Sequence, residues 1–461
     1  MSKKVVIVGA GISGLTTAYR LKQAGAQVEI FEEKPMPGGS VETVRDHDFL
    51  IDFGPNSGLE TTPLIREMVE QLGLGDEMVY ANKEGDNRYI LKNGQLKALP
   101  TSPGAFLRTD LFSLKAKLRL CMEPFVGKSQ DGYNQSLGEF VVRRLGQEFL
   151  DYAIDPFVSG VYAGDPFKLS VKSAFPKLYR LEEVYGGLIK GAVLGARERK
   201  KRAEVAKDHA KMFSFRNGMS TFTTALATAL KDEMRYRHLL TLVRKVNGKY
   251  LLTFDRDGLQ TEITADALFL TIPAYNASIV LQDLDEMVSR HLQSIFYPQV
   301  MVMYAAFPKS EIRRKLDGFG FLIPSKEKRS FLGAIWSSTI FVNRAPGDHA
   351  AFTIFVGGAK VPQMFDDKPE YVAKKALKEF KQIMGIDSEP AVLKYKLWKK
   401  AIPQYNIGYQ AHEEYFGKFE ENNPGLFLGG NYRGGISVGD CVKNSEPNAA
   451  RIFEYINKSE A

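Results

Sequence analysis

The stretch Lys4-Val-Val-Ile-Val-Gly-Ala-Gly-Ile-Ser-Gly-Leu15 decides the fold of this chain. Its first part, Lys4 to Val8, is mostly β-branched and is bounded by glycine, which predicts a short buried strand. Helical spacing follows from Leu15 to Ala24, and Gly25 lies where a glycine commonly ends a helix. A second strand is expected over Gln27 to Phe31. This order of strand, glycine turn, helix and strand predicts an α/β dinucleotide-binding unit.

The turn between the first strand and the helix has the spacing Gly-x-Gly-x-x-Gly. Gly9 permits the tight turn, Gly11 lets the backbone approach a pyrophosphate, and Gly14 lets the helix pack against the strand. The helix N-terminus directs N–H groups and partial positive charge at the phosphates. About 20 residues on, Glu32 or Glu33 accepts hydrogen bonds from the ribose hydroxyls. The unit leaves FAD and NAD open, and the turn residues expected to contact either one are Gly9, Ala10, Gly11, Ile12, Ser13 and Gly14.

Composition is that of an ordinary globular protein, with 461 residues, 44% hydrophobic and 25% charged. This length predicts two or three folding units. No apolar run approaches the roughly 20 residues that span a bilayer. The two cysteines, Cys121 and Cys441, lie far apart, and the six histidines are scattered, so the sequence predicts neither a disulfide framework nor a metal site.

The net charge of +8 favours an acidic partner. Charge alone leaves nucleic acid, an anionic membrane surface and a carboxylate-bearing substrate open. The excess is concentrated between Lys190 and Lys211, where eight Lys or Arg residues face three acids. This basic stretch is interpreted either as a solvated helix or loop, or as a membrane-surface or substrate-gating segment.

The order of predicted elements indicates an α/β protein in which a discontinuous Rossmann-like domain carries an inserted mixed α+β substrate domain and a helical segment. The dinucleotide-binding domain is expected to comprise residues 1–85, 213–287 and 395–461. Residues 86–212 are expected to be a mostly helical region on the substrate or membrane side. Residues 288–394 are expected to form a substrate-binding sheet, with strands near 300–307, 320–323 and 351–357 and an amphipathic helix over 371–384.

A second glycine pair, Gly38-Gly39, follows six residues after Glu32, and Ile51-Asp-Phe-Gly-Pro-Asn56 comes soon after. This arrangement resembles the extended FAD motif of the amine-oxidase and phytoene-desaturase superfamily. The resemblance implies FAD rather than NAD as the cofactor. Met36 departs from the family pattern, in which many members carry a basic residue, and Lys34 is the candidate substitute. The resemblance implies further FAD contacts from Gly39 and Ser40 and, beside the isoalloxazine, from Gly54, Pro55, Asn56 and Ser57.

Five further segments together resemble the oxygen-dependent protoporphyrinogen and coproporphyrinogen oxidases, and they run in family order over essentially the whole chain. They are Asn87-Arg-Tyr-Ile90 with Leu99-Pro-Thr101, Gly160-Val-Tyr-Ala-Gly-Asp165, Gly318-Phe-Gly-Phe-Leu-Ile-Pro324, Trp398 with Pro403-Gln-Tyr405, and Gly429-Gly-Asn-Tyr432 through Gly439-Asp-Cys441.

This resemblance implies oxidation of protoporphyrinogen IX to protoporphyrin IX, with oxygen as the electron acceptor. Three hydride transfers to flavin N5 would remove six hydrogens, and oxygen would reoxidise the flavin and give peroxide. The flavin performs the hydride chemistry, so no catalytic side chain is assigned.

The substrate of that family is a flat tetrapyrrole with carboxylate side chains, so its site needs apolar walls and a cation. The resemblance implies Arg88 for a propionate, Gly160 for close approach of the backbone, and Phe319 and Leu322 as walls. Strand alternation points Phe319 and Leu322 to opposite faces, so a bend at Gly318 and Gly320 is required. The alternatives are ordinary core packing for Phe319 and Leu322 and a solvated charge for Arg88.

The resemblance also implies flavin contacts outside the glycine motifs. Val243 would contact the adenine through its backbone, and Trp398 would pack near the flavin or, alternatively, in the core. The N-terminus of a helix expected from about Val442 would stabilise reduced flavin at its N1–C2=O edge. The residues expected there are Ile436, Ser437 and Val438.

The partners implied are a porphyrinogen and molecular oxygen, with no nucleic acid. A peripheral contact with an anionic membrane surface, a haem-pathway enzyme partner and a homodimer stay open, and the expected location is cytoplasmic, with the inner face of the membrane as an option. The alternatives for function are coproporphyrinogen III oxidation, another FAD amine oxidase or carotenoid desaturase, and a non-catalytic FAD-stabilised binding protein.

Overall fold

The computed structural model describes residues 3–131, 134–199 and 210–458. Its strands are β1 Lys4–Val8, β2 Gln27–Glu32, β3 Thr43–Asp46, β4 Phe49–Asp52, β5 Gly58–Leu59, β6 Met78–Tyr80, β7 Asn87–Lys92, β8 Gln95–Ala98, β9 Met212–Phe215, β10 Met234–Tyr236, β11 Leu239–Val246, β12 Lys249–Arg256, β13 Leu259–Ala265, β14 Ala267–Leu270, β15 Val300–Pro308, β16 Gly318–Leu322, β17 Gly333–Ile335, β18 His349–Gly357, β19 Val392–Trp398 and β20 Leu426–Leu428.

The helices are α1 Ile12–Gln23, α2 Pro63–Gln71, α3 Pro103–Arg108, α4 Leu114–Cys121, α5 Leu137–Leu145, α6 Gln147–Phe149, α7 Asp155–Tyr162, α8 Val171–Ala174, α9 Pro176–Tyr185, α10 Leu188–Arg199, α11 Ser220–Ala229, α12 Ala274–Leu281, α13 Glu286–Gln293, α14 Ser337–Ile340, α15 Pro369–Met384, α16 Tyr409–Asn422 and α17 Val438–Asn457. A π-helical turn, Leu150–Ile154, joins α6 to α7.

A five-stranded parallel sheet has the order β10-β2-β1-β14-β20. Its central strand β1 has the predicted bounds, and its side chains from Val5 to Val8 are buried because helices such as α1 and α17 cover one face of the sheet and the three-stranded sheet β11-β12-β13 packs against the other. The five strands come from the beginning, middle and end of the chain. The predicted discontinuous α/β architecture is therefore confirmed, while the domain boundaries stay predictions.

A seven-stranded, mostly antiparallel sheet has the order β19-β15-β18-β17-β16-β7-β8. The hairpin β7–β8 joins this sheet from the segment that was expected to be mostly helical, and β7 runs parallel to β16. Helix α15 covers one face, where Phe321, Phe352 and Phe380 form a buried aromatic group. Helix α7 packs against the opposite face of the sheet at β16.

The helical segment between β8 and β9 folds around a small apolar core from α5, α7 and α8. Arg144 is fully buried and forms ion pairs with Glu123 and Glu182. Of the basic stretch, residues 200–209 lie outside the described residues. Within the described ranges, we find no helix that is long and apolar enough to cross a membrane.

Candidate functional site

At the turn between β1 and α1, backbone atoms of β1, α1 and β2 lie in direct contact. Gly9 has φ +106°, and its N–H donates a hydrogen bond to the Phe31 carbonyl at 2.8 Å. A Cβ placed on Gly14 would lie 2.0 Å from the Gly9 carbonyl oxygen. Any side chain at Gly14 would therefore separate α1 from β1, which is the packing role predicted for this glycine.

The N-terminus of α1 is open to an anion. Its N-cap residue, Gly11, provides no side chain to cap the first turn, and that turn contains no acidic residue. Ile12 and Ser13 are half-buried at the same end of the helix. The free N–H groups and the helix dipole therefore point partial positive charge out of the protein here.

Of the two candidate ribose acids, Glu32 lies at the turn. It is buried, and its Oε2 accepts a hydrogen bond from the Ala10 N–H at 2.7 Å, while Oε1 accepts one from the Lys34 N–H at 3.0 Å. Burial raises the pKa of Glu32, against the lowering effect of these two N–H donors. Glu33, by contrast, is exposed.

The second glycine pair is packed against the first turn. Gly11 and Gly38 form a parallel bridge, and a Cβ on Gly39 would lie 3.2 Å from the Gly11 Cα. The Lys34 ammonium donates to the Gly39 carbonyl at 3.3 Å, and Ser40 is exposed next to it. These residues therefore line one continuous strip of backbone.

The loop from Gly54 to Ser57 lies next to that strip. A Cβ on Gly54 would lie 1.8 Å from the Ser40 carbonyl oxygen. Asn56 donates through Nδ2 to Thr353 Oγ1 on β18 at 3.3 Å, and Pro55 and Ser57 are half-buried. The loop therefore connects the glycine strip to the seven-stranded sheet.

Trp398 ends the edge strand β19 at the same loop. Its indole Nε1–H donates to the Phe53 carbonyl at 2.8 Å, one residue before Gly54. The Lys396 ammonium lies 4.3 Å from its ring centroid, and the Lys34 ammonium lies 5.9 Å away. Trp398 is thus at the junction of the two large sheets rather than inside either core.

The C-terminal helix α17 begins at Val438, four residues before the predicted start near Val442. The difference arises because Ser437 and Asp440 form a capping box, in which Ser437 Oγ accepts from the Asp440 N–H at 3.1 Å. Ser437 is therefore the N-cap and Val438 the first helical residue. Ile436 is half-buried just before them.

Val243 lies in β11 with its side chain buried, opposite Leu252 of β12. It shares an apolar cluster with Phe31, which precedes Glu32. Its contact to the adenine stays a prediction.

The bend that the sequence required in β16 is present as a β-bulge. Gly318 pairs with Asn87 and Gly320 with Arg88, so Phe319 is the extra residue between them. Phe321 points into the aromatic core under α15, whereas Phe319 is half-buried outside that core. The Arg88 guanidinium lies 5.7 Å from the Phe319 ring centroid.

Leu322 contacts the helical segment at Gly160 of α7. A Cβ on Gly160 would lie 2.4 Å from Leu322 Cδ2, so any larger residue there would displace the Leu322 side chain. Arg88 is exposed on the neighbouring strand β7. The four predicted substrate residues thus form two contacts, Gly160 with Leu322 and Arg88 with Phe319, along the adjacent strands β16 and β7. We call them together the apolar wall: Gly160, Phe319 and Leu322, with Arg88 at its edge.

Sequence reasoning missed a buried ion pair behind the Gly54 loop. Asp52 and Arg344 are both buried, with 3.6 Å between Asp52 Oδ2 and Arg344 Nη2. Arg344 Nη2 also donates to Ser214 Oγ at 2.7 Å, and Ser214 Oγ donates to the Asn56 carbonyl at 3.2 Å. Burial raises the pKa of Asp52, and the nearby Arg344 charge acts against this. Asp52 was visible in its motif, but no local signal points to Arg344.

Tyr405 is a second residue whose role was not foreseen. Its buried hydroxyl donates to the Asn431 carbonyl at 2.8 Å and accepts from the Gly435 N–H at 2.9 Å. It therefore holds the loop that leads to Ser437. Its place in the Pro-Gln-Tyr segment was the only available signal.

The strip, the open helix N-terminus and Glu32 fit FAD. The glycines of the two motifs let the segments of the strip pack closely against one another. The uncapped N–H groups of α1 suit a pyrophosphate, and the buried Glu32 carboxylate suits the ribose hydroxyls. Among the described residues, no group of three or more His, Cys, Asp or Glu side chains could hold a metal ion.

Known proteins resemble this chain over nearly its full length. Protoporphyrinogen oxidase 2 of Arabidopsis thaliana is 31% identical, over 98% of this chain and 94% of its own length. Coproporphyrinogen III oxidase of Bacillus subtilis is 27% identical, over 98% of both chains. The crystal structure of an Exiguobacterium sp. 255-15 protein, 24% identical, matches with a TM-score of 0.80 over 98% of this chain and 99% of that one.

The family description "Flavin containing amine oxidoreductase" matches residues 12–452, which is nearly the whole chain. The predicted cofactor and enzyme class are thereby confirmed: the protein is an FAD-dependent oxidoreductase. This chain therefore belongs to the family of flavin-containing amine oxidoreductases.

Proposed function

We propose that this enzyme oxidises protoporphyrinogen IX to protoporphyrin IX with molecular oxygen as the electron acceptor. The observation that carries the proposal is the apolar wall, in which Gly160 of α7 contacts Leu322 of β16 and the Arg88 cation of β7 lies over Phe319. The relatives named protoporphyrinogen oxidase, such as the Arabidopsis thaliana protein, support the substrate class.

The dinucleotide side of the site supplies position and charge. The α1 N-terminus would bind the pyrophosphate, Glu32 would accept the ribose hydroxyls, and the strip of Gly39, Ser40 and the Gly54 loop would bind the rest of FAD. The first turn of α17, with Ile436, Ser437 and Val438, would face the flavin edge that becomes negative on reduction. FAD, when bound, supplies the hydride acceptor for the three two-electron oxidations.

The substrate side supplies orientation and a dry surface. Phe319 and Leu322 would pack against the flat macrocycle, and Gly160 would let backbone approach it. Arg88 is free of acidic neighbours in ion-pair range among the described residues, so its guanidinium can bind a propionate. No side chain of the wall is assigned as a general base.

The environment of Tyr432 weighs against an amine oxidase. The amine-oxidase alternative would require paired aromatic side chains against the flavin near the C-terminus. Tyr432 is fully buried and packs edge-on against Phe416 instead. A carotenoid desaturase and coproporphyrinogen III oxidation stay as alternatives, the latter because the Bacillus subtilis relative carries that name.

Steady-state kinetics on both porphyrinogens tests the proposal. We expect porphyrin fluorescence and peroxide to appear together, with a larger kcat/KM for protoporphyrinogen IX than for coproporphyrinogen III. A larger kcat/KM for coproporphyrinogen III would make that compound the substrate in place of protoporphyrinogen IX. Turnover of amines or phytoene without turnover of either porphyrinogen would contradict the proposal. A purified yellow protein that neither porphyrinogen reduces would support a non-catalytic role.

We also propose a peripheral contact with an anionic membrane surface through the helical segment. Large apolar side chains are exposed there, including Phe125, which is 88% exposed, and Leu107, Leu114, Leu118, Met122 and Val193. Apolar groups beside lysines suit an interfacial contact. Vesicle co-sedimentation tests this contact. We expect the protein to bind anionic but not neutral vesicles, and we expect the double variant Phe125→Ser, Leu118→Ser to lose this binding. The cytoplasmic location, a haem-pathway enzyme partner and a homodimer stay predictions.

A further inference from the structure

Lys360 joins three segments around the apolar wall. It lies in the loop after β18, and its half-buried ammonium forms an ion pair with Asp155 of α7. It also donates to Ser159 Oγ at 2.9 Å and to Ser325 Oγ at 2.8 Å. Ser159 is next to Gly160, and Ser325 is three residues after Leu322. One cation therefore contacts both sides of the Gly160–Leu322 contact.

Asp155 receives donors from two separate loops. Besides Lys360, its Oδ2 accepts from the Ser325 N–H at 2.7 Å and its Oδ1 accepts from Ser325 Oγ at 3.1 Å. The side chain is 11% exposed, and it lies in the first turn of α7, where a negative charge is favourable. A nearly buried carboxylate is costly without partners, so these donors define where α7 begins relative to β16.

The contacts form a closed ring. From Leu322 the chain runs to Ser325, hydrogen bonds lead to Asp155, and α7 leads back to Gly160, which touches Leu322. The Lys360 loop closes the ring a second time, since the Ala359 N–H donates to the Ala163 carbonyl at the end of α7 at 2.7 Å. Lys360 thus reinforces the direct hydrogen bonds between Ser325 and Asp155, because it contacts α7 at Asp155 and Ser159 and the β16 side at Ser325.

We infer that Lys360 is a positioning residue that holds α7 against β16, through Asp155 and Ser159, at the contact between the Gly160 backbone and the Leu322 side chain. The inference rests on the proposed function, because this contact is part of the apolar wall against which the flat substrate would pack. A shift of α7 would weaken packing on the macrocycle, whereas the site of hydride transfer at the flavin would be untouched. The effect therefore falls on substrate binding and leaves kcat nearly unchanged.

The test compares Lys360→Met with Lys326→Met in the purified holoenzyme. Lys326 forms the neighbouring ion pair with Asp151 at 2.8 Å, but it is 61% exposed and does not contact α7 beside Gly160. We expect Lys360→Met to raise KM for protoporphyrinogen IX about tenfold with kcat within about twofold, and Lys326→Met to change neither. Lys360→Arg, which keeps the charge, should restore most of the affinity.

Two further measurements keep the test independent of folding and of turnover. Asp155→Asn keeps the side-chain shape and should raise KM in the same way, even where Lys360→Met fails to fold. The Kd for protoporphyrin IX, measured by quenching of intrinsic fluorescence, should rise by the same factor as KM. A lower melting temperature with unchanged KM and Kd in both variants would overturn the inference, as would an equal rise in Lys326→Met. Absence of turnover in the wild type, with Kd still shifted, would refute the proposed function alone.

Discussion

The Gly9–Gly14 turn and the apolar wall build their parts of the site in different ways. The turn uses backbone, and its parts lie within the first forty residues of the chain. The wall uses side chains from β7, α7 and β16, which are up to 234 residues apart between Arg88 and Leu322. A backbone site tolerates no added atom, whereas a side-chain site tolerates graded change. The cofactor side should therefore fail abruptly on mutation and the substrate side gradually.

The largest effect is expected for Gly14→Ala. Its Cβ would lie 2.0 Å from the Gly9 carbonyl oxygen, and overpacking of this kind costs about 1–3 kcal/mol. We expect the variant to lose most of its bound FAD, measured as flavin absorbance per chain after gel filtration. Gly75→Ala, whose Cβ would meet open space, is the matched control. Full flavin content in Gly14→Ala would contradict the claim that the cofactor side tolerates no added side chain at this turn.

A graded loss is expected for Arg88→Ala on the substrate side. A hydrogen-bonded ion pair with a carboxylate contributes on the order of 1.5–3 kcal/mol, so KM should rise about 10- to 100-fold with kcat nearly unchanged. The KM of Arg88→Lys should lie between those of the wild type and Arg88→Ala, because lysine keeps the positive charge but lacks the forked guanidinium geometry. An unchanged KM in Arg88→Ala would mean that Arg88 is only a solvated charge.

Acid should weaken FAD binding through Glu32. Burial raises its pKa above the ordinary 4.5 in the protein without FAD, and FAD needs the ionised form to accept the ribose hydroxyls. FAD therefore lowers this pKa, and the Kd for FAD should rise as pH falls through the raised pKa that Glu32 has without FAD, at most tenfold per pH unit. Fluorescence titration with FAD measures this, and Glu32→Gln should bind more weakly with a flatter pH profile. The same slope in Glu32→Gln would exclude Glu32 as its source.

The two cysteines should differ in reactivity, with no effect on catalysis. Cys441 lies on α17 against α1, and burial raises the pKa of its thiol to about 11, whereas Cys121 is exposed in the helical segment. Its thiolate fraction at neutral pH should therefore be about 100-fold below that of a thiol of pKa 9. Mass spectrometry after alkylation should show Cys121 modified and Cys441 protected until the protein is denatured. Equal rates would show that the cofactor side is open.

The cofactor side could be predicted from sequence because its signals are local. Strand β1 has the predicted bounds, and the glycine spacing explains every close backbone contact in the turn. The choice between Glu32 and Glu33 could not be made, because it depends on which side chain turns inward. The start of α17 was missed because the Ser437–Asp440 capping box was not recognised.

The substrate side could be predicted only through resemblance. Strand alternation alone places Phe319 and Leu322 on opposite faces, and the bulge opposite Arg88 resolves this conflict. The pair Asp52 and Arg344 and the pair Asp155 and Lys360 were not foreseen. Each joins residues more than 200 positions apart, and no spacing rule connects such positions.

Anaerobic mixing of the purified holoenzyme with protoporphyrinogen IX tests the central claim most directly. We predict that the absorbance of oxidised flavin is lost at a rate that accounts for kcat. Because one flavin accepts only two of the six electrons, porphyrin fluorescence should appear only after oxygen is admitted and restores the flavin absorbance. Flavin that stays oxidised with protoporphyrinogen IX, while dithionite reduces it readily, would contradict the account.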